Sequence, residues 1–150
     1  MGIKIETLQT GTCSMEFFRF GHGERTLVIL PGLSIQSVMD AADAVAAAYQ
    51  SMTDAFTIYV FDRRKALPPV YPIRDMARDT ALALQALGLE RVCLFGASQG
   101  GMIALALAIE HPELVEKLAL GSSSAHVRPS RFRVLEEWID LARRGDRTGL

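Results

Sequence analysis

The sequence predicts an α/β fold, a mostly parallel sheet flanked by helices. Three observations lead there. Short, continuously apolar runs recur, as in strands buried on both faces. Between them lie stretches whose apolar residues repeat at helical spacing. The two types alternate along the chain, which joins parallel strands by right-handed crossovers.

Ile3 to Thr10 and Ser14 to Phe20 read as two short strands. Gly21-His22-Gly23-Glu24 is a turn signal, glycine supplying dihedrals that other residues resist. Thr26 to Leu30 is the first fully apolar run and stops at Pro31-Gly32. Val38, Ala41, Ala42, Val45, Tyr49 and Met52 then form one helical face, with Ser37 and Asp40 spaced as a capping box. Phe56 to Phe61 is the next buried strand, closed by Asp62-Arg63-Arg64. Beyond the prolines at 68, 69 and 72, Ile73, Met76, Ala77, Thr80, Leu84 and Leu87 make a second helical stripe. Asp75 and Asp79 suit its positive end, and Gly88 is placed to end it. Arg91 to Phe95 is a third buried strand. Gly101 to Glu110 is apolar nearly all round and reads as a buried helix that ends at His111-Pro112. Leu118 to Leu120 is a fourth buried strand. After Pro129-Ser130, Leu135, Trp138, Ile139 and Ala142 form an amphipathic helix whose polar face carries Glu136, Glu137 and Asp140.

Length and composition bound the function. One hundred and fifty residues fit one domain with a real core. Charges nearly cancel, 16 Lys and Arg against 17 Asp and Glu, which argues against nucleic-acid binding. Hydrophobic residues make up 49%, which argues against disorder. Cys13 and Cys93 cannot make a disulfide framework or a metal site by themselves, so Cys93 reads as a small core residue. The longest apolar run, Met102 to Ile109, is far short of the ~20 residues that span a bilayer. The first residues form no secretory signal, and no Asn exists to carry a glycan. A cytoplasmic protein without membrane or nucleic-acid partners, and without metal or cofactor, is the expectation.

Chemistry concentrates at Gly96-Ala97-Ser98-Gln99-Gly100, a G-x-S-x-G string between a buried strand and an apolar helix. A serine in so sharp a turn has its hydroxyl pushed into the open. Gly96 and Gly100 must be small because strand and helix nearly touch there, and Gly101 adds clearance. The helix N-terminus offers free N–H groups to a developing oxyanion. Pro31-Gly32 after the first apolar run lets a second N–H face the serine. The oxyanion hole is therefore expected from the backbone N–H groups of Leu33 and Gln99.

With these motifs the chain resembles the α/β-hydrolase family, in its serine-nucleophile branch. Phe61-Asp62-Arg63-Arg64 is similar to the loop after that family's fourth strand. Ala108 to Leu120 is similar to its passage from elbow helix to sixth strand. Pro31 departs from the His often found before the oxyanion glycine. The resemblance implies strand order 1-2-4-3-5-6 with strand 2 antiparallel, corresponding to six of the usual eight strands. It implies an incomplete core over residues 1–126 and the start of a helical cap over 127–150. It also implies that the catalytic acid and histidine follow Ser98 at later strand ends. His22 and His111 fall at the wrong end of such a sheet. His126 falls on the correct side, and is otherwise a loop residue entering the cap. Asp62 ends a strand on the correct side but one strand away from that of Ser98; a loop-structuring role is its simpler reading. The cluster of Arg128, Arg131 and Arg133 reads as a solvated helix start or as a contact for an acidic substrate group. The expectation is a hydrolase of small carboxylic esters or related acyl compounds, acting through an acyl-enzyme at Ser98. Base and acid come from outside the segment, from a missing C-terminal part or a second chain that completes the sheet. The open edge at Leu118 to Leu120 and the uncovered Trp138 and Ile139 fit that expectation. The alternative is a non-catalytic binding or assembly module.

Overall fold

The computed structural model describes residues 2–11 and 13–146. Met1, Thr12 and the last four residues of the expected cap segment, 147–150, lie outside the described residues. Six strands form one sheet in the order β1-β2-β4-β3-β5-β6. They are β1 (Ile5–Gln9), β2 (Ser14–Gly21), β3 (Arg25–Leu30), β4 (Phe56–Arg64), β5 (Val92–Ala97) and β6 (Val115–Gly121). β2 pairs antiparallel with both β1 and β4, and the other pairings are parallel. The helices are α1 (Ala42–Ala48), α2 (Ile73–Ala86), α3 (Gln99–Glu110) and α4 (Phe132–Arg143).

The continuous apolar runs have a direct cause. In β3, Val28 and Leu30 point into a core shared with α2 and α3, where they meet Phe61, Leu84, Leu94 and Ile103. Leu27 and Ile29 point the other way, into a second core with Phe18, Val60, Met39 and Ala42. Side chains alternate across a strand, so covering both faces demands apolar residues at every position. Gly88 ends α2 as expected. Its φ of +67° takes the left-handed conformation, and the Leu89 N–H bonds back to the Leu84 carbonyl at 2.9 Å.

Three local expectations are corrected. β4 does not close at Phe61; it continues to Arg64, because Arg64 still pairs with Met15 beyond an irregularity in the β2 ladder. The stripe from Val38 to Met52 is not one helix. Tight 3₁₀ turns at Val38–Ala41 and Gln50–Met52 flank the seven residues of α1. Ser37 does cap the first turn, its hydroxyl accepting from the Met39 N–H. The stripe is rich in alanine and buries little beyond Met39 and Ala42, so little packing enforces a continuous α-helix. α3 is not buried all round: Ile103, Ala104 and Leu107 are, whereas Ile109 is 71% exposed. β6 is the open sheet edge that the implied strand order leaves, and Leu118 and Leu120 are 36% and 45% exposed. α4 buries no residue. No helix of the described residues is long and apolar enough to cross a membrane.

Candidate active site

β5 ends at Ala97 and α3 begins at Gln99, so Ser98 alone turns the chain. It does so at φ 51°, ψ −120°. For a residue with a Cβ this is a strained conformation, costing about 1–3 kcal/mol unless neighbours over-determine it. They do: the Ser98 N–H donates to the Gly121 carbonyl at 2.9 Å. The Ser98 carbonyl accepts from Ser123 Oγ at 2.7 Å and from the Gly101 N–H at 3.0 Å. The serine is left exposed.

Close approach explains the glycines. A Cβ on Gly96 would lie 2.4 Å from the Gly100 carbonyl oxygen, and one on Gly100 would lie 2.0 Å from that of Leu30. The turn therefore presses on the end of β3. The loop after β3 also reaches the serine: a Cβ on Gly32 would sit 3.2 Å from Ser98 Cβ. Leu33 follows with its side chain 79% exposed, and the first N–H groups of α3 have no partner within the helix. The structure thus brings Gly32, Leu33, Ser98 and Gln99 to one place, at the carboxyl ends of β3 and β5.

The remaining candidates are scattered. Asp62 stands at the end of β4, across β3 from the serine. It accepts from the Ser37 hydroxyl and, at 2.7 Å, from the Arg63 N–H. His22 lies 3.3 Å from Asp54 and His111 3.3 Å from Glu113, both at the amino ends of the parallel strands. His126 is exposed, and its carbonyl accepts from Ser124 Oγ at 2.9 Å. Arg128, Arg131 and Arg133 are exposed, Arg133 lying 3.6 Å from Glu137. Among the described residues, no histidine or carboxylate hydrogen-bonds Ser98 Oγ.

Arg63 was not among the sequence candidates. Its Nη2 donates to the Pro31 carbonyl at 2.6 Å and to Gln99 Oε1 at 3.3 Å. Burial lowers its pKa from the usual arginine range, and the Asp62 charge opposes that. A cavity of about 310 Å³ opens between these groups, lined by Gly32, Leu33, Asp62, Arg63 and Gln99 among others. The available signal was positional: a second basic residue at the carboxyl end of a strand, on the side where α/β sheets bind ligands.

An α/β sheet with an exposed serine on a strained strand-to-helix turn defines a class of enzyme scaffold rather than a reaction. Residues 26–147 match the family model described as alpha/beta hydrolase fold, and the chain belongs to that family. It is 27% identical over 145 residues to the mouse serine hydrolase BPHL, covering 87% of this chain and 48% of that protein. It is 43% identical over 61 residues to homoserine O-acetyltransferase of Thermus thermophilus, covering 41% of this chain and 16% of that protein. The crystal structure of a hydrolase from Pseudomonas aeruginosa PA01 superposes with a TM-score of 0.73 at 26% identity. That match covers 91% of this chain and 52% of the solved one. The chain spans less than half the length of both relatives and about half that of the solved structure.

Proposed function

We propose that the protein is a serine hydrolase of small carboxylic esters or related acyl compounds, with Ser98 as nucleophile. The observation that carries this reading is the conformation of Ser98, which is strained, exposed and held by its carbonyl and its N–H. Strain of this kind persists where it serves a site. In the proposed reaction Ser98 Oγ bonds to the acyl carbon while a general base takes its proton. The carbonyl π electrons move onto oxygen, and the N–H groups of Leu33 and Gln99 receive that oxyanion. Collapse breaks the bond to the leaving alkoxide, which takes the proton from the base. Water, deprotonated by the same base, then attacks the acyl carbon. The acid departs, Ser98 Oγ regains a proton, and no cofactor is consumed. The base is a histidine from outside this segment, since none of the three histidines here bonds the hydroxyl. We propose that the polypeptide supplying it also covers the open face of β6.

The similarity to a homoserine O-acetyltransferase supports a second reading, in which an alcohol replaces water in the last step. The first test is labelling with a fluorophosphonate, read as intact mass under denaturing conditions. An adduct that Ser98→Ala abolishes supports the nucleophile, and no adduct with the base-bearing polypeptide present overturns it. His126→Ala should leave labelling unchanged; its loss would make His126 the base instead. Supplying an alcohol acceptor then separates transfer from hydrolysis by product.

A further inference from the structure

We propose that Arg63 is a positioning residue for the oxyanion hole, one guanidinium nitrogen tying together the two backbone segments that form it. The inference rests on the reading of Ser98 as nucleophile. The two segments come from different parts of the chain. Leu33 follows β3, whereas Gln99 opens α3. For both N–H groups to face one oxygen, the two segments must be held in mutual register. The loop has little of its own to hold it: Gly32 has no side chain, and that of Leu33 is 79% exposed.

Arg63 supplies the tie. Its Nη2 reaches the Pro31 carbonyl at 2.6 Å. That carbonyl shares a rigid peptide plane with the Gly32 N–H, so fixing the oxygen orients the approach to the Gly32–Leu33 peptide. The Pro31 oxygen is also wedged from behind, lying 2.5 Å from where a Gly100 Cβ would be. The same nitrogen donates to Gln99 Oε1 at 3.3 Å, on the residue whose N–H completes the hole. Asp62 holds the Arg63 N–H at 2.7 Å and is itself bonded by the Ser37 hydroxyl, so the tie has a fixed base. The guanidinium is partly buried, its Nε shut off from water, where such bonds and its charge act with less screening.

The test is the saturation kinetics of fluorophosphonate labelling for Arg63→Met and Arg63→Lys, together with ¹⁵N–¹H amide spectra. Arg63→Met should lower the limiting rate on the order of 10-fold or more, below the 10²–10³ of deleting a hole donor outright. The half-saturating concentration should stay within about twofold, because uniform binding is not what the tie supplies. Arg63→Lys should recover part of the rate, since one ammonium can serve both acceptors. The Leu33 and Gln99 amide signals should shift together in Arg63→Met. Should Arg63→Met fail to fold, Gln99→Met removes one arm of the tie and should slow labelling several-fold. Labelling at the unaltered rate in these variants, while Ser98→Ala blocks it, overturns the inference and leaves the nucleophile standing. No labelling of the unaltered protein, with the base-bearing polypeptide present, overturns the nucleophile instead. The amide signals then decide Arg63 alone: a joint shift supports the tie, and independence of the two signals overturns it.

Discussion

Ser123 Oγ donates to the Ser98 carbonyl across 2.7 Å, so the strained elbow hangs from the end of β6. The Ser98 N–H bond to the Gly121 carbonyl is its companion. Two bonds, from the end of β6 and from the turn after it, help hold a conformation that the serine would not choose alone. Ser123→Ala removes one of them. It should cost about 1 kcal/mol, the usual net worth of a hydrogen bond, and slow fluorophosphonate labelling. Urea unfolding and the labelling rate check both. Unchanged values in both would mean that the Gly121 and Gly101 bonds set the elbow without Ser123.

Gly100→Ala should be far more damaging than a methyl group suggests. The new carbon would stand 2.0 Å from the Leu30 carbonyl oxygen, and backbone cannot yield as a side chain can. Expected is a loss of about 3 kcal/mol or more, seen as a lower urea midpoint. Gly88→Ala should cost less: open space surrounds that site, and only its positive φ resists the change.

Tyr71 donates to Asp79 Oδ2 at 2.6 Å, and Arg64 Nη1 lies 3.6 Å from the same oxygen. Burial, and then the bond to Asp79, raise the Tyr71 pKa above the usual phenol range. The folded state therefore keeps a proton that the unfolded state releases near pH 10. This contribution to stability is fully present below pH 10. It is lost progressively as pH rises from there toward the folded value. Chemical unfolding followed between pH 8 and 11 should show that decline. Tyr71→Phe should remove it, while costing about 1–3 kcal/mol at neutral pH by stripping a donor from buried Asp79.

Trp138 is the protein's single tryptophan and is 52% exposed on α4. Its fluorescence should be close to that of indole in water and readily quenched by acrylamide. Trp138→Ser should leave the unfolding midpoint nearly unchanged, because α4 buries none of its residues. A blue-shifted, protected emission would show that something covers this helix in solution.

The sheet order and the elbow were legible because each rests on a local rule. Val28 and Leu30 face one core, Leu27 and Ile29 the other, and the unbroken apolar run records that. The spacing of Gly96 and Gly100 around Ser98 records the contact between β5 and α3. Arg63 was not legible, because its partners Pro31 and Gln99 are set by the neighbouring order of β4, β3 and β5. The apolar run at Leu118 to Leu120 records what β6 can pack against, and only the implied strand order marked it as the open edge. The division of the stripe around α1 escaped notice for a related reason. Periodicity marks a face, and alanines repeat along it without the bulk that would hold one axis.

The side-chain hydrogen bonds that Arg63 and Ser123 make in the candidate site join distant residues. Arg63 is 32 positions from Pro31 and 36 from Gln99, and Ser123 is 25 from Ser98. No single supersecondary piece can assemble it. A nascent chain growing at roughly 5–20 residues per second has Pro31 exposed for seconds before Gln99 and Ser123 follow it out of the ribosome. A chain paused before Gly121 emerges can pair its first five strands while the turn at Ser98 still lacks both its tie to Gly121 and its tie to Ser123. The turn at Ser98 is thus tied down only after the five strands before β6 are available to pair.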